Sequence, residues 1–306
     1  MKTIGIYFII LGHFFSIGHK FIYVFNVPVF FIISGFLFKK ECKESLFWRK
    51  TWYNLIVPLI LISIIAFTYH CTISIIDGNF KTKHLIKFCL GLFIGLQYSV
   101  RTCWFVYSLL LIRIIFQYCN KIVLIILFFI FLICAYLYNI SDYIIPPNSI
   151  VNVLTAYPFF FLGNLFSSHK DKINKVENRF ILVFLFCINL LLIYLCGKYN
   201  DYVWMWKCGF GNNIFLFLLG GLSGTLTIYS ISKLIDKNLY IVSTISKGTI
   251  LILGFHYIII EQLQKLYFAP FMEYIISLLI LILFVPLIIL CEKHFPLLLG
   301  KLRINR

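Results

Sequence analysis

The chain is 306 residues long, 61% hydrophobic and only 12% charged, with a formal net charge of +16. Apolar runs long enough to cross a bilayer recur from end to end, and no polar stretch is long enough to fold into a soluble domain. The excess of Lys and Arg sits in short clusters between those runs, which is the pattern of cytoplasmic anchoring and not of a nucleic-acid surface. The ten Cys are scattered, mostly inside apolar runs, without CxxC or Cys/His ligand spacing, so neither a disulfide framework nor a metal site is expected.

In chain order, spans one and two are expected over roughly 3–18 and 21–38, joined by a hairpin at Gly18-His19-Lys20. Ile4 to Phe15 leads directly into the second apolar run, so it is expected to stay as a span and not to be cleaved as a signal. The basic linker KKECKESLFWRK (39–50) follows, then a third span over about 52–69 with Pro58 kinking it early. Beyond a polar front at 72–84, Phe88–Tyr98 is apolar but too short to cross, so it is read as a re-entrant or interfacial helix. Spans four to six are expected near 104–118, 122–138 and 150–166. A basic stretch, HKDKINKVENR (169–179), precedes span seven at 180–196. The aromatic loop GKYNDYVWMWKCGFGNN (197–213) leads to span eight at 214–232, the basic linker 233–247, and spans nine and ten at 248–267 and 271–291.

Four basic clusters (39–50, 169–179, 233–247 and 293–306) constrain the topology. Ten crossings put all four on one face, whereas an eleventh crossing at 88–98 would split them. The expectation is an all-α polytopic membrane protein, one integral-membrane domain over 1–306. It has about ten transmembrane helices, both termini cytoplasmic, and one short non-crossing helix near 88–98.

Few ionisable groups lie inside the apolar runs: His13, Arg113 and His256, with Glu261 and Glu273 toward span ends. A buried imidazole is costly and needs either a partner or a chemical task. Lys2 and His13 are eleven residues apart, close to three helical turns, so they share one helix face about 16 Å apart along the axis. That spacing places a cation near the membrane surface and an acid/base group well inside. A neutral imidazole can take a proton from a hydroxyl near neutral pH, and an ammonium attracts phosphates. The plainer alternatives are a surface anchor for Lys2, a core histidine bonded to a neighbour for His13 or His256, and snorkelling for Arg113.

Several motifs then converge. Lys2-X10-His13 followed by FNVPVFFIISGFLF (25–38) resembles the opening of the acyltransferase-3 family of integral-membrane O-acyltransferases. Leu55-Ile-Val-Pro58, Trp104-Phe105, Phe159-Phe-Phe-Leu-Gly163, Ser246-Lys-Gly-Thr249 and Leu253-Gly-Phe-His256 are similar to later family segments, in the same order. One departure stands out: Asn26 replaces the family's second-span histidine. The resemblance implies transfer of an acyl group, most often acetyl, from acyl-CoA to a sugar hydroxyl. The acceptor would be a cell-surface polysaccharide such as lipopolysaccharide O-antigen, or its lipid-linked precursor, handled in the bacterial inner membrane. His13 maps onto the catalytic base, and Lys2 onto the motif cation, for CoA phosphate or the thioester oxyanion. Arg113 is a further cation for CoA; Asn26, Trp104 and His256 are candidates for acceptor binding, stacking and proton relay. No metal is expected, and the partners implied are acyl-CoA, the glycan or lipid-linked saccharide and the bilayer, with no nucleic acid. Tyr202, Trp204 and Trp206 are placed to stack on sugar faces or to anchor at the interface. A polysaccharide flippase or other transporter, or an O-antigen-type polymerase, is the competing reading; no internal repeat favours the first and no long external loop the second.

Overall fold

Backbone groups inside an apolar run have no water to bond, so such runs close their own hydrogen bonds as helices. In the computed structural model, every regular element among the described residues is helical. Those residues are 1–14, 17–83, 85–86, 103–141, 150–176, 178–235, 239–266, 268–269 and 271–301. The short apolar segment expected at 88–98 lies outside them.

The chain opens with α1 (Lys2–His13), α2 (His19–Tyr23) and α3 (Pro28–Leu37), followed by the amphipathic α4 (Glu44–Thr51) and the long α5 (Val57–Ile76). It continues with α6 (Cys103–Tyr118), α7 (Lys121–Ile140), α8 (Val153–Ser167), the single turn α9 (Lys170–Asn174) and α10 (Arg179–Tyr199). The last elements are α11 (Ile214–Ile235), α12 (Tyr240–Lys247), α13 (Thr249–Leu263) and α14 (Met272–His294). Among the described residues, six helical stretches are long and apolar enough to cross a membrane, or seven if α12 and α13, bent by 85° at Gly248, count as one. Three shorter apolar helices, α1, α6 and α8, pack among them. The protein is thus a multi-pass integral membrane protein.

Asparagines start three of the long helices. Asn120 Oδ1 accepts from the Val123 N–H at 2.9 Å, Asn178 from Phe180 and Ile181, and Asn213 from Phe215 and Leu216. Each satisfies first-turn donors that have no partner within their own helix.

The start of the third span differs from the kink expected at Pro58. Residues Trp52–Ile56 form a π-turn in which the Val57 N–H reaches back to the Trp52 carbonyl, and α5 begins beyond it with Pro58 in its first turn. The wider turn absorbs the proline ring where an α-turn would clash. The expected hairpin at Gly18–Lys20 also moves. Helix α1 stops at His13, the chain turns through Gly18 at φ 90°, and His19 already belongs to the next helix. Asn26 sits in the relaxed stretch 24–27 between α2 and α3.

Helices α3 and α8 meet backbone to backbone. A Cβ on Gly35 would collide with the Phe160 carbonyl, and one on Gly163 with the Ile32 carbonyl. Only glycine on both sides allows this approach, which brings Phe31, Phe159 and Phe160 into the fully buried core. By contrast, α7 and α10 turn Ile126, Phe129, Ile133, Phe184, Ile188 and Leu191 outward, as lipid-facing helices do.

Contacts at one end of the bundle gather the basic segments. Thr3 donates to the Val242 carbonyl at 2.8 Å, Lys247 and Lys301 pair with Glu292, and Gly300 abuts Asn54 at the start of the third span. Gln117 exchanges two hydrogen bonds with the Glu41 backbone, and Lys50 pairs with the Glu41 carboxylate at 2.6 Å. Glu261 and Glu273 fall on either side of the turn joining α13 and α14.

Substituting Gly163→Leu is expected to separate α3 from α8, costing at least the ~1–3 kcal/mol of overpacking. Thermal unfolding of the detergent-solubilised protein should show a lowered transition, while Leu162→Met, a volume-conserving swap on the same helix, should leave it nearly unchanged.

Candidate active site

At the end opposite those basic contacts, the chain encloses a cavity of about 610 Å³. Its walls come from α1 (Ile9, His13), the α2–α3 break (Tyr23, Asn26), α6 (Trp104), the loop after α10 (Trp204, Trp206) and α13 (Leu253, Tyr257). No Asp or Glu is among the described residues that line it.

His13 is the last residue of α1, half-buried, on the cavity wall. Helix α1 ends there in the apolar interior, so its terminal carbonyls need outside donors. Gln264 supplies one, its Nε2 donating to the His13 carbonyl at 2.8 Å, and the Tyr274 hydroxyl donates to the Ile17 carbonyl.

Behind His13 stands His256, fully buried on α13, with the two ring centroids 5.0 Å apart. Its Nδ1 lies 2.8 Å from the Ile252 carbonyl. A carbonyl only accepts, so Nδ1 carries the proton and Nε2 keeps a lone pair. Tyr257 meets the His13 ring edge-on at 5.4 Å.

Asn26 is nearly buried and uses its Oδ1 to accept from the Val27 N–H at 2.8 Å, which leaves its amide nitrogen as a donor beside Gly12. Trp104, 7% exposed, packs edge-on against Phe105. Lys2 is different. It is exposed at the first residue of α1 and not on the cavity wall, so the structure keeps it a helix length from His13. Arg113 is also outside the cavity, nine residues or about 13 Å along α6 from Trp104, with Glu41 the carboxylate that acts on it. The six candidate residues therefore divide. His13, Asn26 and Trp104 share the cavity, His256 backs it, and the two cations sit toward the opposite end.

The loop 200–213 is a built wall. Buried Asn200 donates to the Phe210 carbonyl and accepts from the Asn212 and Asn213 N–H groups, all within 2.8–2.9 Å. Trp204 and Gly209 exchange two backbone hydrogen bonds, while Asn152 holds the Trp206 carbonyl from α8's side. Trp204 and Trp206 thereby face the cavity, and Tyr202 stacks on Trp204 from outside at 5.6 Å. Burial pushes the Cys208 thiol of this loop up to about 12, so it is a neutral packing group and not a nucleophile.

Sequence reasoning missed His19, Tyr23, Tyr257, Gln264 and Asn200. Buried His19 stacks on Tyr23 at 4.2 Å, and Tyr23 meets Trp204 edge-on, so a short hairpin residue becomes part of the cavity's aromatic surround. Tyr257 was one position from a residue already singled out, whereas nothing local marks Gln264 or Asn200. Their partners are 251 residues away in the first case and across a loop in the second. Among the described residues, no group of three or more His, Cys, Asp or Glu is placed to hold a metal ion.

Comparison with known proteins adds one match of long reach. Neither the curated proteins nor the solved structures include a match to this chain. A model of the acyltransferase-3 family, described as an acyltransferase domain, matches residues 1–291. With nearly the whole chain covered, the protein belongs to the acyltransferase-3 family.

Proposed function

We propose that the protein is an O-acyltransferase that moves an acyl group, acetyl first among candidates, from acyl-CoA to a sugar hydroxyl of a cell-surface polysaccharide or its lipid-linked precursor. The observation that carries this reading is His13 on the wall of a cavity that also presents Asn26, Trp104, Trp204 and Trp206. An imidazole supplies the base, the carboxamide a donor, and the indoles flat faces for a pyranose ring.

In the proposed reaction the acceptor hydroxyl gives its proton to His13 as its oxygen attacks the thioester carbonyl. The C–O bond forms, the C–S bond breaks, and the imidazolium returns the proton to the departing thiolate. Asn26 donates to the carbonyl oxygen as negative charge grows there. Because an asparagine does not titrate, no proton passes through position 26 in this chain, and the acid/base work falls to histidine alone. Tyr23 and Tyr257, at the same cavity, are hydroxyl donors for sugar oxygens.

We place both termini and the four basic clusters in the cytoplasm of a bacterial inner membrane, with ten crossings. Support comes from the basic segments meeting at one end and the cavity lying at the other. The cavity then belongs to the outer half of the membrane, beneath the aromatic loop, where an exported glycan arrives. Lys2 and Arg113 lie on the cytoplasmic side, where CoA phosphates arrive, and the extended pantetheine arm bridges the gap toward His13.

Membranes incubated with labelled acetyl-CoA should transfer label to glycan with the wild-type chain and show a loss of ~100-fold or more with His13→Ala. Equal labelling removes His13 from the reaction. Deleting the protein should strip O-acyl groups from an otherwise full-length surface glycan; a shortened or missing glycan would instead indicate a polymerase or flippase. Trp204→Ala should raise KM for the acceptor about 5- to 150-fold, the ~1–3 kcal/mol scale of stacking on a ring face, with KM for acetyl-CoA unchanged.

A further inference from the structure

A histidine base works best when a second group holds its far nitrogen, because that fixes the tautomer and the ring orientation and accommodates the imidazolium. A carboxylate is the usual orienting group. No described residue lining the His13 cavity is Asp or Glu. Tyr257 and His256 both set their rings against His13.

His256 has the properties an orienting group needs. Its ring is fully buried, and the Ile252 carbonyl fixes its tautomer through Nδ1 at 2.8 Å. Its Nε2 is a buried acceptor with no hydrogen-bond partner among the described residues. A buried lone pair without a partner is costly unless something is meant to reach it. The neighbouring His13 ring is centred 5.0 Å away, a separation that admits one nitrogen-to-nitrogen hydrogen bond between two five-membered rings after a modest turn about the side-chain torsions.

We infer that His256 is the positioning residue of the base, its Nε2 accepting the N–H of His13 to form a chain Ile252 carbonyl, His256, His13, acceptor hydroxyl. In that chain Nδ1–H of His256 donates to the Ile252 oxygen, and His13 donates its far N–H to Nε2 of His256. The remaining His13 nitrogen is the one that takes the acceptor's proton. When that proton arrives, the imidazolium keeps both of its N–H groups in use, one toward His256 and one toward the departing thiolate to which it returns the proton. His256 gains and loses no proton overall. It orients and does not touch substrate, in keeping with its place behind the cavity wall.

This inference rests on the proposed role of His13, and the test separates the two. Wild type, His13→Ala, His256→Met, His256→Asn and His256→Gln are compared as purified full-length protein in detergent. Each is assayed with labelled acetyl-CoA and acceptor-bearing membranes from a strain lacking the protein. A glutamine side chain can put its amide oxygen where Nε2 stands, whereas asparagine is too short and methionine fills the volume without an acceptor. The expected result is a fall in kcat of roughly 100-fold for His256→Met and His256→Asn, with KM for acetyl-CoA unchanged and at least a tenth of kcat kept by His256→Gln. Equal loss in all three variants, a change confined to KM, or full activity in His256→Met overturns the inference while leaving His13 in place if His13→Ala is dead. Wild-type activity in His13→Ala, or no transfer by the wild type, overturns the proposed base and this inference with it.

Discussion

The constraint on which the site depends is that α1 ends too early. Twelve residues of helix rise about 18 Å, well short of an apolar bilayer core of about 30 Å. An end left inside hydrocarbon exposes carbonyls at a cost of several kcal/mol each, so such a break persists only against protein or a wet cavity. Here both conditions are met. Gln264 and Tyr274 close the carbonyls of His13 and Ile17, and the space beyond the break becomes the cavity. The break that endangers the helix also sets His13 at a helix C-terminus with one face toward polar partners. Helices α13 and α14, far away in sequence, are thereby tied to the first turn of the chain.

Much of the scaffold was legible because lipid imposes one solution on long apolar runs. Spans expected at 104–118, 122–138, 180–196 and 214–232 correspond to α6, α7, α10 and α11, each displaced by three residues or fewer at either end. Hydropathy reports how apolar a run is, but not whether its helix is continuous. The stop at His13, the turn at 24–27 inside the crossing stretch His19–Leu37 and the π-turn before Pro58 therefore escaped it. The sharp bend between α12 and α13 escaped for the same reason, since a basic amphipathic turn and an apolar helix blur at Gly248.

The site was legible in part, and the split has a physical basis. A titratable residue in an apolar run announces itself by cost, which is why His13 and His256 stood out and why Trp104 and Asn26 could be placed through their flanking motifs. Uncharged residues that satisfy distant backbone groups carry no such mark. Asn200 is an unremarkable loop residue until Phe210, Asn212 and Asn213 fold back onto it and close the loop that carries Trp204 and Trp206. The shared helix face of Lys2 and His13 was real as geometry, but it joined two different ends of the molecule and not two parts of one pocket.

That separation shapes how the chemistry can be divided. Helix α1 runs from Lys2 toward the cavity and α6 runs from Trp104 away from it, so the antiparallel pair sets both cations, Lys2 and Arg113, on the far side from His13. Phosphate attraction and proton transfer then need not compete for the same space. A polyanion held at the far end leaves the imidazole's surroundings free of bound charge. The described lining of the His13 cavity has no Asp, Glu, Lys or Arg, and its aromatic faces and single hydrogen-bonding groups suit the proposed sugar acceptor better than a phosphate. Tyr257 and His256, whose rings lie against His13, place aromatic side chains beside its imidazole. A carboxylate in direct contact would bias it toward the imidazolium before the acceptor arrives. In the proposed reaction, a described wall without Asp or Glu suits a base that begins each turnover without its proton.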